Sequence, residues 1–391
     1  MILIKYPLSF DEPPGIYIHV PFCRKKCYYC DFYSEVYEKE ELEKKIVSYI
    51  KSLKKEISFY FSRINTDIIK TIYFGGGTPG ILSGENIREI LEHLLKNLKI
   101  SSTGEISIET NPLMVDKERI LEYKKAGINR LSLGIQSLNN RRLKTLGRLH
   151  SREKALTAIN IVKNNLTNFN LDLIFAVPGQ SLSEWKNTLN KILDFNPPHL
   201  SLYNLQIEEG TYLYEQVEKE EIRPIAEELD ARMFKIALKR LKEQDYRHYE
   251  ISNFALPGYQ SRHNLLYWKF KPYLGLGPAA HSFDGENRFY NYSNIKKYYN
   301  VLAKGQLPIQ QFLSLSSEDL MAEKMMMGLR LIDGVDKNEF YKRFGISLKK
   351  VYFREIKTLK KKKLIKENPE KIQLTRKGLM FGNQVFQEFL P

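Results

Sequence analysis

Two hydrophobic patterns alternate along the first half of the chain. Short apolar segments rich in β-branched residues have the length and composition of buried strands. Between them lie longer stretches in which apolar residues recur at helical spacing. The predicted strands are residues 16–20, 68–74, 105–109, 130–136, 170–177 and 200–205. The predicted helices between them are residues 38–61, 86–98, 117–126, 152–164 and 183–193.

This alternation predicts parallel strands that are joined by right-handed crossovers and covered by helices. Six strand–helix units are too few for the eight of a closed barrel. We therefore expect an α/β fold with an open, partial (β/α)6 TIM-like barrel. In such a fold the chemistry lies at the carboxyl ends of the strands.

The second half of the chain has a different pattern. Residues 230–246 predict an amphipathic helix, whereas residues 249–307 are rich in aromatic residues, Gly and Pro and predict irregular structure. The remaining predicted elements are helices at 318–331, 337–343 and 347–363 and a hairpin at 364–374. These last elements suggest a mostly helical, winged-helix-like C-terminal domain.

We accordingly expect three parts of the chain. Residues 1–230 would form the partial barrel, residues 231–310 an extension that packs on the barrel, and residues 311–391 the winged-helix-like domain.

The composition is that of a globular protein, with 42% hydrophobic residues and no run near the about 20 apolar residues of a membrane span. The N-terminus lacks the basic and apolar regions of a signal peptide, so we expect a cytoplasmic protein. The formal net charge is +15, from 61 Lys and Arg against 46 Asp and Glu. Lysines are dense only at 357–366, which favours a generally basic surface over a nucleic-acid site. Contact with an anionic membrane surface stays open.

The three cysteines of the chain lie close together, at Cys23, Cys27 and Cys30, with the spacing C-x3-C-x2-C. Thiolates at such spacing are typical ligands of an iron–sulfur cluster. Three of them leave one iron of a four-iron cluster free to bind a small molecule. A disulfide framework normally uses an even number of cysteines. A zinc site, which would normally need a fourth Cys or His, and unliganded thiols are the alternatives.

A glycine run, Gly75-Gly76-Gly77-Thr78-Pro79-Gly80, follows the second predicted strand. It formally matches a dinucleotide fingerprint, but Pro79 is unusual there and no acidic residue ends a matching second strand. Glycines let a ligand approach the backbone, where free N–H and C=O groups can hold the polar end of an amino acid. A tight turn without a ligand is the alternative.

Polar or charged residues also end the later strands or follow them, namely Glu109, Gln136, Arg148 and Asp172. Because a buried charge needs a partner, each such residue faces either a ligand or a counter-charge.

A second dense motif contains His263, Asn264, Tyr267 and Trp268. A histidine can bind heme iron, and aromatic rings can pack against a flat macrocycle. From chemistry alone, a hydrogen-bonded histidine in a structural segment is the simpler interpretation.

The segments Tyr17-Ile18-His19-Val20-Pro21-Phe22-Cys23 and Cys30-Asp31-Phe32 resemble radical S-adenosylmethionine (SAM) proteins. Within them the chain is similar to the branch of oxygen-independent coproporphyrinogen III oxidases and HemW heme chaperones. The oxidases carry a further cysteine where this chain has Phe32, whereas His263-Asn264-Leu265-Leu266-Tyr267-Trp268 matches the H-N-x-x-Y-W motif of the HemW family. The resemblance extends over nearly the whole chain and includes the glycine run.

This resemblance implies a role for each matching residue. Cys23, Cys27 and Cys30 would ligate a [4Fe–4S] cluster. SAM would contact Tyr17, Gly76, Gly77, Thr78, Glu109, Gln136, Arg148 and Asp172. Heme would lie near the cluster opening, with His263 as the iron ligand and Asn264, Tyr267 and Trp268 in the same motif.

The implied function is that of a heme chaperone that delivers heme to respiratory hemoproteins at the membrane. The alternative is an oxygen-independent coproporphyrinogen III oxidase, an enzyme that decarboxylates propionate side chains oxidatively. Both would use the same cluster and SAM sites, so the sequence leaves open whether the chain is an enzyme. A DNA-binding iron–sulfur regulator is disfavoured, because a regulator needs no cluster at a barrel mouth.

Overall fold

The computed structural model describes residue 8, residues 10–61 and residues 63–391. Its strands are β1 (Gly15–Val20), β2 (Phe22–Cys23), β3 (Glu35–Val36), β4 (Ile68–Gly76), β5 (Lys99–Thr110), β6 (Arg130–Gln136), β7 (Phe169–Phe175), β8 (His199–Asn204), β9 (Arg247–Glu250), β10 (Asn253–Ala255), β11 (Tyr273–Leu276), β12 (His281–Phe283), β13 (Asn287–Asn291), β14 (Ile309–Ser314), β15 (Val335–Asp336), β16 (Ile365–Glu367) and β17 (Lys371–Leu374).

The helices are α1 (Lys39–Phe61), α2 (Gly84–Leu94), α3 (Lys117–Ala126), α4 (Asn140–Thr145), α5 (Arg152–Asn165), α6 (Leu182–Leu193), α7 (Tyr212–Glu218), α8 (Glu227–Lys242), α9 (Arg262–Trp268), α10 (Ile295–Ala303), α11 (Ser317–Arg330), α12 (Lys337–Phe344), α13 (Leu348–Val351), α14 (Phe353–Lys361), α15 (Arg376–Met380) and α16 (Gly382–Gln387).

The main sheet is an open, partial barrel, as the strand–helix alternation predicts. Its order is β14-β13-β12-β11-β1-β4-β5-β6-β7-β8-β10-β9, and the neighbours from β11 to β8 are parallel. Within the described residues, the edge strands β14 and β9 do not pair with each other, so the barrel is not closed. Antiparallel strands extend it on both sides.

Apolar and polar side chains alternate along the strands, so the outer face of the sheet is apolar and the inner face is polar. In β1, Ile16, Ile18 and Val20 belong to the main hydrophobic core, which also contains residues of the covering helices. The side chains between them, Tyr17 and His19, point to the opposite face, because neighbouring residues of a strand alternate. The same two-residue alternation points polar side chains of β5 to β8 into the barrel interior. The fold thereby prepares a polar interior inside an apolar shell.

The prediction that residues 249–307 are irregular is wrong. This region contains β10 to β13 and the helices α9 and α10. The strands are short, and β11 pairs with β1, which is distant in sequence. Pairing between distant segments leaves no local periodicity, so the sequence pattern did not reveal these strands.

The C-terminal elements form a module with its own hydrophobic core, which includes Met325, Phe340, Leu359 and Ile372. Strands β15, β17 and β16 make a small antiparallel sheet beside α12 to α14. The winged-helix-like prediction is confirmed in its elements, and the predicted hairpin at 364–374 is β16 and β17. The predicted helix at 347–363 is interrupted at Tyr352, which has non-helical backbone angles. The three predicted domain boundaries stay a prediction.

Candidate functional site

The three cysteines lie in a loop at the carboxyl end of β1. The short strands β2 and β3 pair and hold the two ends of this loop together. Within the loop, the amide of Cys30 donates to the carbonyl of Cys27 (3.2 Å), and the amide of Tyr28 donates to the carbonyl of Leu146 (3.1 Å). All three cysteines line one cavity of about 460 Å³. A local turn and long-range hydrogen bonds therefore hold the loop that carries the predicted cluster ligands.

The thiols share this cavity without converging on one point. Among the described residues, no three His, Cys, Asp or Glu side chains are placed to hold a single metal ion. In a four-iron cluster each thiolate binds a different iron, so the ligands need not converge. The arrangement of the thiols is compatible with such a cluster.

The side chains of Thr78 and Arg148 contact the thiols. The hydroxyl of Thr78 lies 3.4 Å from Cys23 Sγ, and Arg148 Nη1 donates to Cys27 Sγ (3.4 Å). Burial raises the pKa of the Cys23 thiol and raises that of Cys30 to about 11. Burial therefore opposes formation of the thiolates. Iron bound in a cluster would favour them.

The glycine run packs tightly against the segment that leads into the cysteine loop. A Cβ on Gly77 would lie 2.6 Å from the carbonyl oxygen of Phe22, and Gly76 has a φ of +107°. The amide of Gly77 donates to Val20 (2.9 Å), and that of Thr78 donates to Phe22 (2.7 Å). The expectation of free amides is therefore wrong at these two positions, because the amides hold the backbone of the cluster segment. Gly76, Gly77 and Thr78 still line the cavity.

The polar strand ends meet in the same cavity. Glu109, Gln136, Arg148 and Asp172 all line it, although they come from different strands and loops. The hydroxyl of Tyr73 donates to Glu109 Oε1 (2.6 Å), and burial raises the pKa of Glu109 to about 7. Arg148 Nη2 donates to the carbonyl of Gly134 (2.9 Å).

Asp172 is held in place by neutral donors. The hydroxyl of Ser132 donates to Asp172 Oδ2 (2.8 Å), and the amide group of Asn170 donates to Oδ1 (2.6 Å). Burial raises the pKa of the Asp172 carboxyl.

Gln136 supports the interpretation of this cavity as a ligand site. It has a φ of +63° at the end of β6, where the register with β7 shifts. Its Oε1 is buried and has no hydrogen-bond partner within the described part of the chain. A buried acceptor without a donor is costly, so a ligand that donates here would relieve it.

Tyr17 is placed differently from the prediction. It does not line the cavity among the described residues. Its ring stacks on Tyr73 (centroids 6.3 Å apart), and its hydroxyl lies 3.1 Å from Nδ1 of His19. Since Tyr73 holds Glu109, Tyr17 supports the cavity wall from beneath.

Several cavity residues escaped the sequence analysis. Arg130, Ser132, Asn170, His199 and Ser201 line the cavity floor. They occupy every second position of strands that are otherwise apolar. Polar residues at every second position of an apolar strand indicate a polar inner face, and this pattern would have predicted these cavity residues from the sequence.

The histidine of the HNxxYW motif lies at the opposite end of the barrel. A Cβ on Gly15, the first residue of β1, would lie 3.2 Å from the His263 ring, whereas the cysteines follow the last residue of β1. Its Nδ1 lies 2.7 Å from the hydroxyl of Thr71, and its Nε2 lies 2.7 Å from that of Tyr267. Its side chain is fully buried, and this burial lowers its pKa to about 3.

The prediction of His263 as the heme-iron ligand therefore needs correction, whereas the position of heme near the cluster opening stays a prediction. In this structure both ring nitrogens of His263 are engaged, and the ring stacks on Tyr73 (centroids 5.0 Å apart), which lines the cavity of the cysteines, without lining it itself. Of this motif, Asn264 alone lines the cavity of about 460 Å³ that the three cysteines line, which we call the cluster cavity. Tyr267 and Trp268 line a separate cavity of about 160 Å³ between the barrel and the C-terminal module.

Comparison with known proteins agrees with this architecture. Residues 17–192 match the Radical SAM superfamily, and residues 315–381 match the HemN C-terminal domain. The heme chaperone HemW of Bacillus subtilis is 33% identical over 96% of this chain and 98% of its own length. The chain belongs to the HemW family. The resemblance that the motifs indicated is thereby confirmed.

Two further relatives complete the comparison. The heme chaperone HemW of Escherichia coli is 37% identical over 71% of this chain and 71% of its own. The structure of Escherichia coli coproporphyrinogen III oxidase (HemN), a radical SAM enzyme, matches with a TM-score of 0.84 over 99% of this chain and 91% of its own. Its sequence identity is 22%, so this likeness concerns the fold. Membership of the radical SAM superfamily implies a [4Fe–4S] cluster and SAM.

Proposed function

We propose that this chain is a heme chaperone that binds heme together with a [4Fe–4S] cluster and SAM. The observation that carries the proposal is one cavity that joins the three cysteines to the polar ends of several strands. Similarity over nearly the full length to proteins named heme chaperones supports the heme-related function.

Within this proposal each residue of the cavity has a chemical task. Cys23, Cys27 and Cys30 would hold the cluster, which would supply an open iron for SAM. Glu109 and Asp172 offer acceptors, Arg148 offers a donor for a carboxylate, and Gln136 offers its unpartnered oxygen. Gly76, Gly77 and Thr78 border the ligand, and Tyr17 holds the wall behind it.

The HNxxYW motif contributes from below the cavity. His263 fixes the floor of the barrel through Thr71 and Tyr267, and Asn264 reaches the cavity from that floor. Tyr267 and Trp268 pack beneath it. The motif would thus support a heme site near the cluster without supplying the iron ligand.

Delivery of heme to respiratory hemoproteins belongs to the same proposal, as does a cytoplasmic location. No helix of the described residues combines the length and apolar character required to cross a bilayer. A peripheral association with an acidic membrane stays a prediction. The proposal requires no nucleic acid.

Anaerobic reconstitution tests the proposal against the alternative enzyme. The cluster-loaded protein with SAM is offered heme and coproporphyrinogen III in parallel. We expect a Soret band for bound heme and no formation of protoporphyrinogen IX by mass spectrometry. A Cys27→Ala variant, which lacks one cluster ligand, is the control for cluster dependence. Sustained conversion of coproporphyrinogen III would overturn the chaperone as the main function in favour of the oxidase.

A further inference from the structure

The rim of the cluster cavity carries apolar side chains that a cluster and SAM do not require. Phe32 is 64% exposed, Leu149 is 54% exposed and Tyr203 is 40% exposed, and all three line the cavity. They come from the cysteine loop, from the loop after α4 and from the end of β8. Exposed apolar residues gathered at one opening mark a binding surface for an apolar ligand.

Three consecutive cations stand at the same rim. Arg24, Lys25 and Lys26 separate Cys23 from Cys27, are exposed and line the cavity. Within the described residues none of them forms an ion pair with a carboxylate, whereas Lys54, for example, lies 2.7 Å from Glu89. Lys25 Nζ donates to the hydroxyl of Tyr28 (3.4 Å) and lies 4.9 Å from the centroid of its ring, but no carboxylate of the described residues neutralises its charge. All three charges can therefore attract an anionic ligand.

The second cavity is a poorer site for a large anionic ligand. Its volume is about 160 Å³ against about 460 Å³ for the cluster cavity. Small-molecule sites usually measure about 300–1,000 Å³. Its cations are already paired, since Lys271 lies 2.7 Å from Glu12 and Arg288 lies 2.7 Å from Glu323.

We propose that the rim of the cluster cavity binds the heme macrocycle, with its propionates on Arg24, Lys25 and Lys26 and its apolar ring against Phe32 and Leu149. Heme combines a flat apolar ring with two carboxylates, and the rim offers apolar contact beside unpaired cations. SAM is smaller and more polar, and it would occupy the deeper part of the cavity among Glu109, Gln136 and Asp172. This inference rests on the proposed heme-binding function and assigns its site.

The test is a titration of the cluster-loaded protein with hemin, with metal-free protoporphyrin IX and with the dimethyl ester of protoporphyrin IX. In the variant R24A/K25A/K26A we expect Kd for hemin and for the free acid to rise about tenfold, or about 1.4 kcal/mol. The dimethyl ester, which has no carboxylates, should bind both proteins equally. Added salt should weaken hemin binding to the unchanged protein more than to the variant.

Matched controls separate local from general effects. The variant R354A/K357A/K361A removes one Arg and two Lys from the exposed surface of α14 and should bind hemin with unchanged Kd. Leu149→Glu, outside the cysteine loop, should weaken hemin binding about tenfold, whereas Phe353→Glu on the C-terminal module should not. Iron and sulfide analysis identifies the variants that bind a full cluster. If R24A/K25A/K26A binds the cluster incompletely, the results for Leu149→Glu and for the dimethyl ester decide the test.

The outcomes separate the two proposals. If the unchanged protein binds hemin but Leu149→Glu and R24A/K25A/K26A bind it with the same Kd, the rim site is wrong and the heme chaperone stands. If the loaded, unchanged protein binds no hemin at all, the proposed function fails first.

Discussion

At the scale of single residues, polar side chains inside the barrel are held by one another. Arg130 is almost fully buried, and its Nε lies 3.9 Å from Glu105. His199 lies 2.6 Å from Asn170 Oδ1 and 2.7 Å from the hydroxyl of Tyr249. Since buried polar groups need partners, this network fixes the floor of the cavity before any ligand binds.

His263 joins this network, because its amide donates to Glu105 Oε1 (3.3 Å), so we expect a structural effect from its replacement. The variant His263→Ala should lower the free energy of unfolding by about 2–4 kcal/mol, because it leaves a cavity and removes the partner of two buried hydroxyls. Chemical denaturation measures the loss. Heme uptake per folded molecule should persist.

The exposed His281 provides the control, and His281→Ala should leave stability nearly unchanged. Loss of the Soret band in His263→Ala with an unaltered unfolding midpoint would instead identify His263 as the iron ligand.

At the scale of elements, one buried carboxylate joins four parts of the chain. Glu56 of α1 is fully buried and accepts hydrogen bonds from the amide of Gly277 (2.8 Å), Asn291 Nδ2 (2.6 Å) and the hydroxyl of Tyr298 (2.6 Å). These residues lie after β11, in β13 and in α10. Glu56 therefore fastens the antiparallel extension to the barrel.

This carboxylate should make stability depend on pH. Burial raises the pKa of Glu56 from 4.5 to about 7. Between these two pH values the folded protein keeps the proton on Glu56, whereas the unfolded chain has lost it. Its stabilising contribution is complete below pH 4.5 and is lost as the pH rises through 7. Between about pH 5 and 8, the protein should lose about 2 kcal/mol of stability relative to Glu56→Gln.

Urea unfolding at several pH values measures this difference. The exposed Glu43 lies on the same helix, and Glu43→Gln should follow the pH dependence of the unchanged protein. A constant difference between the unchanged protein and Glu56→Gln over that pH range would contradict the assignment.

At the scale of the whole molecule, the C-terminal module covers the barrel end opposite the cysteines. Arg288 Nε of β13 lies 2.7 Å from Oε1 of Glu323 in α11. The guanidinium of Arg330 lies 4.5 Å from the ring centroid of Trp268, and Lys324 Nζ donates to the carbonyl of Lys269 (3.3 Å). The module thus packs on α9 and leaves the cluster end uncovered.

Loss of one of these contacts should loosen the module. Glu323→Ala removes the carboxylate that Arg288 contacts, and we expect a loss of about 1–2 kcal/mol and faster limited proteolysis between barrel and module. Glu318→Ala, at an exposed position of the same helix, should have a much smaller effect. Equal proteolysis of both variants would show that the ion pair does not hold the module.

Local signals sufficed for much of the fold. The predicted strands at 16–20 and 130–136 correspond to β1 and β6, because buried parallel strands are short apolar runs between amphipathic helices. The same signals failed for β11 and β12, whose partners are distant in sequence or whose segments are too short to carry a period. The cysteine triplet needed no tertiary information, since its spacing alone brings three thiolates into one loop.

The chain by itself thus determined the parallel core, the grouping of the three cysteines and the polar residues at the strand ends, because periodicity and spacing are local properties. Only the tertiary structure decided which end of the barrel each motif occupies. In it, the amides of Gly77 and Thr78 donate to the backbone that leads into the cysteine loop, and Tyr17 lies behind the cavity wall. It also buried His263 at the amino ends of the strands, because contacts between distant residues, such as that with Thr71, depend on strand order and register.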